Sequence, residues 1–113
     1  MQYMALIYSA PGSEAGYDGD IMADYGQFTQ EAVAAGVFKA GDALMPTSDA
    51  SSVQVRGGST AVTDGPFAET KEVLGGYYLL ECADLDEAIK WAAKIPTAKY
   101  GTIEVRPLMV FER

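Results

Sequence analysis

Histidine is absent from the 113 residues. Its absence removes the usual zinc triads, the Ser-His-Asp and Cys-His arrangements, and the one side chain that titrates near neutral pH unaided. Any proton transfer must use carboxylate, tyrosine, lysine or water. The single cysteine, Cys82, cannot close an internal disulfide, and its place in the apolar run GGYYLLECA predicts a buried thiol. Positive charge is scarce: 8 Lys+Arg face 16 Asp+Glu, giving a formal charge of −8 with no basic cluster. Such a field repels nucleic acid and acidic lipid headgroups, so neither is expected as a partner. No apolar run approaches the roughly 20 residues that span a bilayer, and the first residues lack the basic region and cleavage site of a secretion signal. A cytoplasmic location is the expectation. Neither a metal nor a cofactor is expected either. The five methionines are scattered, and Gly57-Gly58 and Gly75-Gly76 lack the helix N-terminus a phosphate loop requires.

What the chain does have is apolar material, 49% of its residues, enough for one domain over residues 1–113 with its own core. Tyr3–Tyr8 (YMALIY) reads as an interior strand, followed by the punctuated loop SAPGSEAGYDGD. From Asp20, a candidate cap, the period becomes helical: Ile21, Tyr25, Phe28, Ala32 and Val33 share a face and Gly36 supplies the stop. Gly26, in mid-helix, marks either a close approach by backbone or ligand, or a tolerated glycine. Val37–Met45 reads as a second strand, with Gly41-Asp42 a possible bulge and Pro46 its end.

SVQVR and STAVT flank Gly57-Gly58 as a two-residue hairpin, pairing Arg56 with Ser59, Val55 with Thr60 and Val53 with Val62. A strong strand follows over Gly76–Cys82, where alternation sends Tyr77 and Tyr78 to opposite faces. Asp84 and Glu87 form a capping box for a second helix with the stripe Leu85, Ala88, Ile89, Ala92, Ile95, and Pro96 stops it; Trp91 covers the helix edge. Thr102–Phe111 is the last strand, in which Pro107 must sit at an edge or bulge.

This order predicts an α+β fold: a ferredoxin-like protomer with an inserted β-hairpin, both helices on one face of an antiparallel sheet. The other face is then also largely apolar, a liability in a monomer, which predicts a homodimer with two sheets packed face to face.

Asp64–Glu72 (DGPFAETKE) is the most informative segment. Asp64 can accept hydrogen bonds from the turn it opens, Gly65 supplies a conformation other residues resist, Pro66 fixes the next step and Phe67 anchors it. Glu69, Lys71 and Glu72 then place charges of both signs beside that turn, suited to orienting a polar ligand or simply solvated. Continued by GGYYLLE, the block resembles the signature of the DGPF subgroup of YCII-related proteins. The likeness extends to MQYMALIY, AAGVFKAGDALMP, the Asp84–Ala88 helix start and IEVRPLMVF.

The resemblance implies a dimeric α+β barrel, a cleft near the first helix and the sheet, and association of similar proteins with extracytoplasmic-function sigma factors. The wider YCII pattern pairs a helix-one histidine with an aspartate on the next strand. Here Asp24-Tyr25 stands in place of the histidine and Asp42 can stand for the aspartate.

Two functional readings follow. In the first, the chain is a small-molecule enzyme of lyase or isomerase type, with Asp64 or Asp42 as base and Tyr25 as proton donor. Arg106 or Lys71 would bind a small anionic ligand, with Phe67 beside it. In the second, the same cleft binds without chemistry, as a regulatory module whose partner is a sigma factor.

Overall fold

The computed structural model describes residues 1–111. Its elements are β1 (Gln2–Ser9), α1 (Ile21–Ala34), β2 (Phe38–Ala43), β3 (Ser51–Arg56), β4 (Ser59–Asp64), β5 (Val73–Glu81), α2 (Leu85–Ala92) and β6 (Thr102–Pro107). Short 3₁₀ turns cover Ser13–Gly16, Thr47–Asp49 and Pro96–Lys99. β1, β2, β5 and β6 form one antiparallel sheet in the order β2-β5-β1-β6. This α+β arrangement is compatible with a ferredoxin-like fold.

Local chemistry explains the helix ends. The Asp20 carboxylate accepts from the Ala23 N–H at α1, and at its other end Gly36 takes φ 74°, so that its own N–H reaches the Val33 carbonyl and the Val37 N–H reaches that of Ala32. At α2 the Asp84 carboxylate accepts from the Glu87 N–H, while Glu87 reaches back one residue further than expected, to the Ala83 N–H. α2 stops at Ala92, well before Pro96, because the Lys94 and Ile95 N–H groups turn to the Trp91 and Ala92 carbonyls and tighten the last turn.

Both helices cover one face of the sheet. Tyr3, Ala5, Ile7, Tyr78 and Leu80 from the strands pack with Phe28 and Ala32 of α1 and with Ala88 and Ile95 from α2 and just beyond it. Two stripes are narrower than their spacing implied: Val33, Leu85 and Ile89 are exposed, since each helix lies on the sheet along a seam that small residues, Ala32, Ala88 and Ala92, approach most closely. Trp91 is half-buried, its ring edge-on to Phe28 at 6.1 Å. Nothing among the described residues lies within 4 Å of a Cβ built on Gly26, so no backbone of this chain makes the close approach that its position suggested.

Three strands differ in detail from the sequence expectation, β2 in the place of its bulge and β5 and β6 in one boundary each. In β2 the register shifts between Phe38 and Ala40, and Gly41 and Asp42 run inside the ladder opposite Tyr78 and Tyr77. β5 begins at Val73, carried past Gly76 by pairing with β1. β6 ends at Pro107, because β1 starts at Gln2 and offers no ladder beyond the Leu108 N–H to Gln2 C=O bond. Pro107 lies on an edge strand, where its missing N–H costs nothing.

Among the described residues, no helix packs on the opposite sheet face, whose side chains are half-buried by one another. Alternation places Met4, Leu6 and Tyr8 there with Tyr77 and Leu79, and β6 adds Glu104 and Arg106 at the margin. β3 and β4 form a separate two-stranded sheet, paired as expected from Arg56–Ser59 to Val53–Val62. Val53, Val55 and Val62 share one of its faces and are each more than half exposed. The whole molecule is a plate 48 × 45 × 18 Å.

Candidate functional site

A cavity of about 190 Å³ lies between α1 and the β2–β5 half of the sheet. Tyr25 and Thr29, one helical turn apart, face it from α1. Phe38, Gly41 and Tyr78 form its sheet wall, with Ile7 and the pair Gly75-Gly76 beside them. The hollow exists because three positions bring no side chain. A Cβ on Gly41 would meet the Tyr78 ring at 2.6 Å, and one on Gly76 would meet the Asp42 carbonyl at 2.9 Å. Gly75 is the residue skipped where the β1–β5 register shifts, opposite the step from Ile7 to Tyr8.

The wall is aromatic and ordered by hydroxyl bonds. Tyr78, 8% exposed, packs against Phe28 at 4.9 Å, Phe38 at 6.0 Å and Tyr25 at 6.5 Å between ring centroids. Its hydroxyl meets Thr29 Oγ1 at 3.1 Å, and Thr29 Oγ1 donates to the Tyr25 carbonyl at 3.0 Å. The Tyr25 hydroxyl pairs with buried Thr97 at 2.5 Å. Burial pushes the Tyr25 phenol above its ordinary pKa, so it stays protonated at neutral pH.

Of the residues singled out in the sequence, Tyr25 and Asp42 both belong to the cavity wall. They do not meet. Asp42 pairs across the ladder with Tyr77, and its carboxylate accepts from the Tyr77 hydroxyl at 2.8 Å on the uncovered sheet face, whereas Tyr25 stacks on Tyr78 on the helix face. That hydrogen bond to Asp42 raises the Tyr77 pKa. Asp24, the neighbour of Tyr25, is turned to another partner and accepts from the Tyr17 hydroxyl at 2.5 Å.

The other candidates lie outside the cavity. Asp64 ends β4, exposed, and the turn after it is held instead by the Gly65 N–H to the Ala50 carbonyl at 2.6 Å and by Ser52 Oγ to the Gly65 carbonyl at 2.8 Å. Gly65 does take the positive φ expected of it, 96°. Phe67 is 88% exposed and, among the described residues, anchors nothing. Lys71 is exposed in the segment before β5, and Arg106 sits on β6 opposite Met4, on the uncovered face.

Sequence reasoning missed Thr29, Phe38, Tyr78 and Thr97 as site residues. Thr29 carried a signal, a polar residue one turn from Tyr25 on a buried face. Gly75-Gly76 carried another, since paired glycines in a strand mark a close approach or a bulge.

Comparison with known proteins agrees with the architecture. An uncharacterized protein of Rhizobium meliloti (strain 1021) is 37% identical over 118 aligned positions, which cover 99% of this chain and 95% of that one. The YCII-related domain matches residues 1–112 from one end of the sheet to the other, including α1, β2 and β5, which build the cavity, and the chain therefore belongs to the YCII-related family.

Proposed function

We propose that this chain is a small-molecule-binding protein whose ligand occupies the cavity between α1 and the sheet, and that it works as a homodimer. The observation carrying the first part is the cavity itself: about 190 Å³ walled by buried rings and two buried or half-buried hydroxyl groups. Buried polar groups converging on an apolar hollow are the usual makings of a ligand site. The separation of Tyr25 and Asp42 onto opposite sheet faces supports binding over a lyase or isomerase reaction, because a molecule lodged against Tyr25 is not also within reach of the Asp42 carboxylate, as an acid–base pair requires. The Asp64–Glu72 block supports membership of the DGPF subgroup.

Surface area supports the dimer. A compact monomer of 12.0 kDa exposes roughly 6,000 Å², whereas this chain exposes 7,920 Å². The surplus exceeds the roughly 800 Å² per partner that a stable interface buries. Two apolar faces, the uncovered sheet face and the valine face of the β3–β4 hairpin, are the surfaces a second copy would cover. An isolated two-stranded hairpin is marginal in water, which makes that cover a condition of its stability.

The test of the binding reading is a titration of the ¹⁵N-labelled protein with a library of one- and two-ring fragments. Shifts clustered on Thr29, Gly41, Gly75, Gly76 and Tyr78 are expected; hits that all map elsewhere would refute it. Turnover of any bound fragment that falls in Asp42→Asn without loss of affinity would restore the enzyme reading.

A further inference from the structure

We infer that the cavity selects a compact, uncharged molecule that donates a hydrogen bond, a one-ring phenol in size and chemistry. The inference rests on the small-molecule reading above and adds the ligand class.

Proton accounting carries it. A threonine hydroxyl has one proton, and Thr29 commits its own to the Tyr25 carbonyl, an acceptor only. In the 3.1 Å contact between Thr29 Oγ1 and the Tyr78 hydroxyl, the tyrosine must therefore be the donor. Both protons are spent inside the protein. The Tyr25 hydroxyl is engaged with Thr97. The side-chain hydroxyls of Thr29 and Tyr78 thus have lone pairs to offer a ligand and no free proton, so a ligand gains a hydrogen bond there only by bringing a donor.

Charge and size narrow the class. Among the described residues lining the cavity none is cationic, the one charged residue is Asp42, and the chain carries −8. A carboxylate would be desolvated with nothing to pair it, and an ammonium would find no anion on the helix face, because the Asp42 carboxylate accepts from the Tyr77 hydroxyl on the other face of the sheet. The rings of Tyr25, Phe38 and Tyr78 favour a flat apolar body. About 150 Å³ is enough to hold benzene, so about 190 Å³ holds a single substituted ring and excludes larger ligands unless they protrude.

The experiment compares four probes with one ring each at neutral pH: phenol, anisole, benzoate and benzylamine, titrated into the ¹⁵N-labelled protein. Phenol is expected to shift Gly41, Gly75 and Gly76 with the highest affinity. Anisole, with the donor methylated, should bind about fivefold more weakly, and benzoate should leave those signals unmoved. Thr29→Val supplies the decisive arm. It releases the Tyr78 proton into the cavity, so the preference for phenol over anisole should disappear or invert, while Thr29→Ser should keep the original order. Thermal melts of both variants establish that they are folded.

If anisole, benzoate or benzylamine matches phenol at those residues, or the order survives in Thr29→Val, the inference falls and the small-molecule reading stands. The same holds if none of the four moves these signals while the wider fragment library does. If nothing in either set moves them, both fail.

Discussion

Substituting alanine at Gly41 tests how tightly the cavity wall is built. The added Cβ would lie 2.6 and 2.8 Å from two atoms of the Tyr78 ring and 3.2 Å from the Tyr77 carbonyl. The ring can retreat only toward the cavity, and doing so pulls it off Phe28, Phe38 and Tyr25 and away from the Thr29 hydroxyl that holds it. Relief must come from displacing the ring cluster or bending β2, and overpacking of this kind costs about 1–3 kcal/mol. Loss of the Tyr78–Thr29 bond adds about 1 kcal/mol. Set against a total of about 5–15 kcal/mol for a domain this size, the expected loss of about 2–4 kcal/mol is large and lowers the melting temperature by roughly 8–16 °C.

Gly75→Ala is the matched control. Its Cβ meets nothing closer than the Ile7 carbonyl at 3.9 Å, and its φ is not in the left-handed region, so its cost should stay within about 0.5 kcal/mol. Urea unfolding followed by Trp91 fluorescence, at one fixed protein concentration, measures both. Equal stabilities for the two variants would refute the packing argument.

Other consequences are as direct. Gly26→Ala, in an exposed and open helical position, should stabilise by about 0.5–1 kcal/mol, read from the same urea curves. The hydrogen bond to Asp24 pushes the Tyr17 pKa up to about 12 from 10.0. Because the folded value is the higher one, this contact contributes fully below pH 10 and is lost as pH rises toward 12; Asp24→Asn should bring the phenolate absorbance midpoint of Tyr17 back toward 10. Burial raises the Cys82 thiol to about 11, so a disulfide reagent at pH 8 should label it slowly in the native protein and rapidly in urea. Leu6→Lys, in the middle of the uncovered sheet face, should shift sedimentation from dimer to monomer and leave the far-ultraviolet spectrum of the fold unchanged.

The legible parts of the fold were those with local causes. Asp20, Gly36 and Asp84 act on backbone groups a few residues away, and the hairpin register follows from its two-residue turn, so each could be placed without knowing the tertiary structure. Where a helix buries only half of its apolar stripe, the cause is the line along which it lies on the sheet, and Val33, Leu85 and Ile89 carry no local mark of that line. The site divides in the same way. Tyr25 was readable from its helical face. Its companions Tyr78 and Phe38 reach it through strand pairing between segments 40 residues apart, and Asp42 lies one residue out of phase with them: the alternation that puts Gly41 under Tyr78 turns Asp42 to the far side. The charged DGPF segment drew attention because of its composition, yet apart from half-buried Gly65 and Glu72 its residues are exposed, and none of them lines the cavity between α1 and the sheet.

Whether the cavity takes a one-ring donor is read most directly from a crystal structure of the protein soaked with phenol at millimolar concentration. Ring-shaped density is expected between α1 and the β2–β5 edge, with the phenol hydroxyl donating to Tyr78 Oη or Thr29 Oγ1. An empty cavity, with the compound ordered elsewhere or nowhere, would contradict that expectation.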